Sequence, residues 1–369
     1  MLLRMVCLGA MVWQAGAAVP VSLFDGKTLN GWVAEGPHPA FAAGQGELRV
    51  TGRGFPPNWI HTVREYEDFH LRFDYKLEQW AEAAVVLRAP RLGRPAQAGL
   101  ALYLAHDFHP DTPLYATGAI AGVRPPKQKL PPTFGVWHTA EITLIGGHLK
   151  AVIDGITVQD TTLDDDPELR QRLRRGFIGF PDYGHGYSLR NIAIEDNGGR
   201  TPLAEPLRAG LQGWALRGNG QWRIKGDSVL AGWGGDGIFY APGEFADFEL
   251  TVLVRTRQHV NSGVFLRGSP DPKASRGFEI QIYSPIDSVY PTGSIYNLVR
   301  SNITADHEQR WFLLQVRVEQ GHCRVRLDGV TVAESDHLPE GTMPRGRVGF
   351  QFHSVDGMVE FQDLRIRPL

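Results

Sequence analysis

Residues 277–284 (GFEIQIYS) set a carboxylate, an amide and a phenol at every second position: Glu279, Gln281 and Tyr283. In an extended chain that spacing puts all three on one face, with Phe278, Ile280 and Ile282 on the other. A carboxylate in such a row can accept and return a proton, while an amide and a phenol hold hydroxyl groups around it. Just upstream, Asn261, Gly263, Phe265 and Arg267 share a side by the same count. A glycine there admits a ligand or a neighbouring backbone, and an arginine offers a planar fork of donors. The plain alternative is a solvated sheet face, with Arg267 simply paired to a carboxylate.

The segments that must position these groups read as strands. FELTVLV, VFLRG, FLLQVRVE, CRVRLDG and VEFQDLRIR alternate apolar with polar residues and are rich in Val, Phe, Ile and Leu. Asp154-Gly155 and Asp328-Gly329 each fall between two such runs, where a hairpin turn needs positive φ. Gly 43 and Pro 25 supply turn residues for many short strands. Only residues 164–174 (DDDPELRQRLR) look helical, and their charge predicts a surface excursion. Many antiparallel strands without a βαβ rhythm predict an all-β fold of the sandwich or jelly-roll kind.

The chain repeats itself. Residues 66–88 lie over residues 245–267 without a gap and share seven identities, including the Asp-Phe-x-Leu and the closing Leu-Arg. Leu29-Asn30-Gly31-Trp32 matches Leu211-Gln212-Gly213-Trp214, Trp137 matches Trp311, and Gly179-Phe180 matches Gly349-Phe350. Landmarks in constant order predict two tandem sandwiches, residues 19–197 and 201–369, with the seam near Asn197-Gly198-Gly199. The strand matching 277–284 is GLALYLAH, with Ala101 and Tyr103 in place of Glu279 and Gln281. The first copy kept the fold and lost the polar set.

Composition sets the remaining bounds. A formal charge of -2, with no large basic excess, argues against a dedicated nucleic-acid binder, which needs a phosphate-neutralising face. Residues 1–18 read as a signal peptide: Arg4, an apolar run and Ala15-Gly16-Ala17 as a cleavage site. The run is too short to span a bilayer, which takes roughly 20 apolar residues. A periplasmic or extracellular protein without membrane insertion of the mature chain is expected. Cys323 is then the sole mature cysteine, and no internal disulfide forms. His106, Asp107 and His109 are ligand types at close range, but without a clear further ligand no metal is assigned, and no cofactor. Trp59, Trp80, Trp222 and Trp233 could stack on sugar rings, although buried tryptophan is commoner.

Leu23-Phe24-Asp25-Gly26-Lys27-Thr28-Leu29-Asn30-Gly31-Trp32 resembles the opening motif of the 3-keto-disaccharide hydrolase family. Asn261-Ser262-Gly263-Val264-Phe265-Leu266-Arg267, Glu279-x-Gln281, Thr292-Gly293-Ser294-Ile295-Tyr296 and Gln351-x-His353 are similar to its successive motifs. The resemblance covers the mature chain once per half. It implies concanavalin-like sandwiches and activity on sugars oxidised to a ketone at C3, by elimination and hydration. Transferred onto this chain, Glu279 is the candidate base, with Tyr296 and His353 assisting the leaving group or hydration. Asn261, Arg267, Gln281 and Tyr283 are the candidate sugar-binding residues. The rival expectation is a carbohydrate-binding protein without turnover.

Overall fold

The computed structural model describes residues 19–37, 39–54, 58–105, 113–131, 133–226, 228–257, 259–354 and 356–369. The expected signal segment, residues 1–18, and the histidines of residues 106–109 lie outside the described residues.

Among the described residues the fold is all-β, with four antiparallel sheets forming two sandwiches. In the second, the front sheet runs Ala215–Gly218, Gly235–Tyr240, Arg347–Ser354, Ser262–Gly268, Phe278–Ile282. In the first, the front sheet runs Trp32–Glu35, Trp59–Thr62, Phe177–Pro181, Ala83–Ala89, Leu100–Ala105, which is the same order of matching segments. Each back sheet also corresponds: Asp68–Leu77 and Phe248–Thr256 occupy equivalent central places. Two separate cores result, one built from residues 24–194 and the other from residues 207–366.

Alternation explains these cores. Phe248, Leu250, Val252 and Val254 point inward from one strand, as do Phe69, Leu71, Phe73 and Tyr75 from its counterpart. Both Asp-Gly pairs form the expected turns, with φ of 48° and 79° at Asp154 and Gly155, and 48° and 80° at Asp328 and Gly329. Positive φ at both central positions matches the twist of the strands they join.

Arg267 departs from the sequence expectation. Period two groups it with Gly263 and Phe265, but the register shifts between Phe265 and Gly268, and Arg267 takes a φ of 54°. That bulge turns its side chain off the outer face. Its guanidinium donates to Ala246 O at 2.8 Å and meets Asp247 Oδ1 at 3.0 Å. Arg88 does the same in the first copy at a φ of 48°, bonding Glu67 O at 2.7 Å and Asp68 Oδ1 at 3.1 Å. The arginine common to both copies braces the front strand against the start of the back sheet.

The charged segment 164–174 also departs from expectation. It forms a short 3-10 turn, Leu163–Asp165, followed by turns, and it is packed between the copies. Leu173 contacts Leu253 and Leu313, and the Gln171 carbonyl accepts from Gln315 Nε2 at 3.2 Å. Glu65 adds a bond to Arg365 at 2.6 Å across the same junction. Its arginines are therefore tertiary groups rather than solvated ones. The Cys323 thiol lies in the second core, and burial pushes it up to about 12.

Arg88→Met removes one half of a fully buried ion pair and strands Asp68. It is expected to cost about 3–5 kcal/mol in the first sandwich, read as a lower urea midpoint for its unfolding transition.

Candidate active site

Strand Phe278–Ile282 lies at the edge of the second front sheet, beside Ser262–Gly268. Phe278, Ile280 and Ile282 enter the core as the alternation predicts. Glu279 and Gln281 therefore project from the outer face. The register sets Gln281 opposite Gly263, and Gly263 opposite Gln351; Glu279 sits opposite Phe265. His353 follows Gln351 by two on the same face, next to Asn261, whose carbonyl accepts its backbone N–H at 3.0 Å.

Gly263 makes this arrangement possible. A Cβ built there would fall 2.1 Å from Glu279 Oε1. The glutamate thus leans diagonally across the glycine, towards the row that carries Gln351 and His353. Its carboxyl is largely desolvated and has no ion-pair partner among the described residues. Burial raises its pKa to about 7, against the weaker opposing pull of Arg276 and His353. A carboxylic acid that exchanges its proton near neutrality is suited to proton transfer.

The neighbouring groups are arranged as donors and acceptors. Gln281 is buried, and its Oε1 accepts from the Ile282 N–H at 3.2 Å, which leaves its amide nitrogen as the group to donate. Asn261 Oδ1 is buried with no hydrogen-bond partner among the described residues. A buried acceptor without a donor costs about 1–3 kcal/mol, which a ligand hydroxyl would recover. His353 is exposed, with Nδ1 2.9 Å from Asp236 Oδ1. Nδ1 thus faces Asp236, and Nε2 is the nitrogen left for a ligand.

Tyr283 and Tyr296 stand farther out. The strand ends at Ile282, and the Tyr283 N–H donates to Thr292 Oγ1 at 3.0 Å. Tyr296 donates its backbone N–H to Glu279 O at 2.9 Å, while its ring lies beside Tyr290, centroids 5.2 Å apart. Asn261, Gln281, Glu279 and His353 are thus brought to one face, with Tyr283 and Tyr296 at its margin. Asp236 is the residue that sequence reasoning missed. Its signal was weak, since Gly235-Asp236-Gly237 reads as a turn until the register pairs it with His353.

Of the tryptophans, Trp222 stacks on Phe239 within the second sandwich, Trp233 lies under Arg223, and Trp80 is exposed in a turn. Trp59 lines a cleft on the first front sheet. No group of three or more His, Cys, Asp or Glu suited to a metal occurs among the described residues. No helix among them is long and apolar enough to cross a membrane.

A desolvated acid, a buried amide and a histidine beside Asp236 thus share the outer face of the second sandwich. The family model for the 3-keto-alpha-glucoside-1,2-lyase-like domain matches residues 19–195 and again residues 209–367, and the chain belongs to that family. No curated protein matches it. Two solved structures from Parabacteroides distasonis, each provisionally named a glycosyl hydrolase, are similar at 21% and 16% identity. Each covers 48% of this chain, with 99% and 94% of its own chain, at a TM-score of 0.43. A carbohydrate-binding module from Bacillus subtilis is similar at 17% identity, covering 42% of this chain and 95% of its own, with a TM-score of 0.32.

Glu279 also predicts a pH dependence of stability. Unfolded, the carboxyl titrates near 4.5; folded, it holds its proton to about 7. Between those values the folded state binds more protons, so its contribution is full below the lower value and lost as pH rises to the upper. Urea midpoints of the wild type should fall across that window, and Glu279→Gln should flatten the fall.

Proposed function

We propose that the second sandwich cleaves 3-keto-glycosides by elimination followed by hydration, in a protein exported from the cytoplasm. The observation that carries this reading is the lone, desolvated Glu279 on the outer sheet face, in a chain of this family. A ketone at C3 acidifies the proton on C2. The Glu279 carboxylate takes that proton, the C1–C2 double bond forms, and the C1–O bond to the aglycone breaks. Gln281 donates to the enolate oxygen at C3, stabilising the charge that develops there. His353, oriented by Asp236, gives the departing oxygen its proton. Water then adds at C1 as Glu279 returns a proton to C2, and the sum is hydrolysis.

One base suffices for this chemistry. Direct glycoside hydrolysis sets two carboxyl groups across the scissile bond, whereas Glu279 has an amide, Gln281, as its strand neighbour on this face. Asn261 and Tyr283 would receive sugar hydroxyls, and Tyr296 would border the leaving group.

Incubation with an aryl 3-keto-glucoside should release the phenol, at a rate that rises with pH through about 7 as Glu279 ionises. Glu279→Gln should lower kcat roughly 10²–10⁴-fold, the usual contribution of a general base. A wild type that binds the sugar and releases nothing would establish the rival reading, a binding protein without turnover.

A further inference from the structure

The first front sheet lost the polar set but holds a cleft of 820 Å³ on the corresponding face. A hollow of 410 Å³ continues it, sharing Ala96, Gln97 and Tyr183. Matching registers show what replaced what. Tyr183 stands for His353, Tyr103 for Gln281, Pro181 for Gln351 and Trp59 for Ile238. Ala101 stands for Glu279 and Ala84 for Gly263. A proton-transfer face became an aromatic one.

One wall comes from the other sandwich. Arg310 and Trp311, just ahead of strand Phe312–Glu319, border the cleft. They are held there by close docking of the copies. A Cβ at Gly93 would fall 2.5 Å from Asp328 Oδ1, and one at Gly329 would fall 2.4 Å from the Gln97 backbone. The cleft therefore belongs to the tandem and to neither copy alone.

Its rim is cationic. Among the described residues, Arg91, Arg94 and Arg310 border it with one carboxylate, Glu35, while Arg172 and Glu82 line the adjoining hollow. Arg91 meets Glu35 at 3.8 Å and Arg310 meets Asp328 at 3.0 Å. Arg94 is exposed and has no hydrogen-bond or ion-pair partner for its guanidinium among the described residues. Aromatic walls suit the C–H faces of pyranose rings, and a free guanidinium fork suits a carboxylate.

We propose that this cleft is a non-catalytic site for an acidic saccharide, a sugar chain bearing uronate carboxylates. The sugar class rests on the reading of the second copy; the site and its charge preference rest on the first. It would hold an acidic glycan against the protein while the second sheet works on the oxidised sugar.

Calorimetric titration of the full chain with trigalacturonate, and with the same trisaccharide reduced at its carboxyls, tests this. The acidic form should bind at least about tenfold tighter, and Arg94→Ala should erase the difference. Tyr183→Ala should weaken both, and Glu279→Gln should leave both unchanged, which separates this site from the one on the second copy. Arg94 is exposed and without a partner among the described residues, so its variant folds whatever becomes of Tyr183→Ala. Equal affinity for the two trisaccharides, no binding of either, or binding abolished by Glu279→Gln would each overturn the proposal, the last by placing the ligand on the second sheet.

Discussion

Phe278, Ile280 and Ile282 are committed to the core of the second sandwich, and that burial dictates where Glu279 and Gln281 go. Each such side chain contributes roughly 1.5–3 kcal/mol on leaving water. A slip of one residue in the register would exchange the two faces, expelling three apolar groups and burying a carboxyl and an amide among hydrocarbon. The acid on the outer sheet is thus held by hydrophobic packing on the other side of the same strand. Its position costs the fold nothing extra until the carboxyl ionises.

What the duplication kept and what it changed separate cleanly along this line. The inner faces, the strand order, the Asp-Gly hairpins and the Arg–Asp braces recur in both copies. The outer faces of the front sheets diverged, because substitution there leaves the core untouched. Leu100, Leu102 and Leu104 pack as Phe278, Ile280 and Ile282 do, while the alternate positions went from Glu and Gln to Ala and Tyr. The energetics of folding constrain one side of each strand and leave the other to function.

The same asymmetry governs how much could be read from the sequence. Strand identity, the repeat, the hairpins and the outward face of Glu279 follow from period-two patterning, which local residues set. Arg267 could not be placed by counting, because a bulge inserts one residue into the period and nothing in Phe-Leu-Arg-Gly announces it. The charge of segment 164–174 points to solvent, whereas Gln171 and Leu173 pack on Gln315, Leu253 and Leu313 of the other copy. Asp236 escaped because its role depends on cross-strand register. Failures cluster where the deciding contact is non-local.

That junction bears on the chemistry as well as on the fold. Interfaces between tandem domains are often polar and loosely held, yet here backbone approaches so closely at Gly329 that no larger residue fits without displacement, and Gly93 lies against the Asp328 carboxylate. Leu173, Leu253 and Leu313 close an apolar seam beside these contacts, and Glu65 with Arg365 forms a half-buried ion pair across it. The seam combines steric fit with paired charge, and it sets Trp311 in the wall of the first copy's cleft. The composite wall makes the first copy's cleft depend on the docking of the second, since Arg310 and Trp311 border it only while the seam is closed.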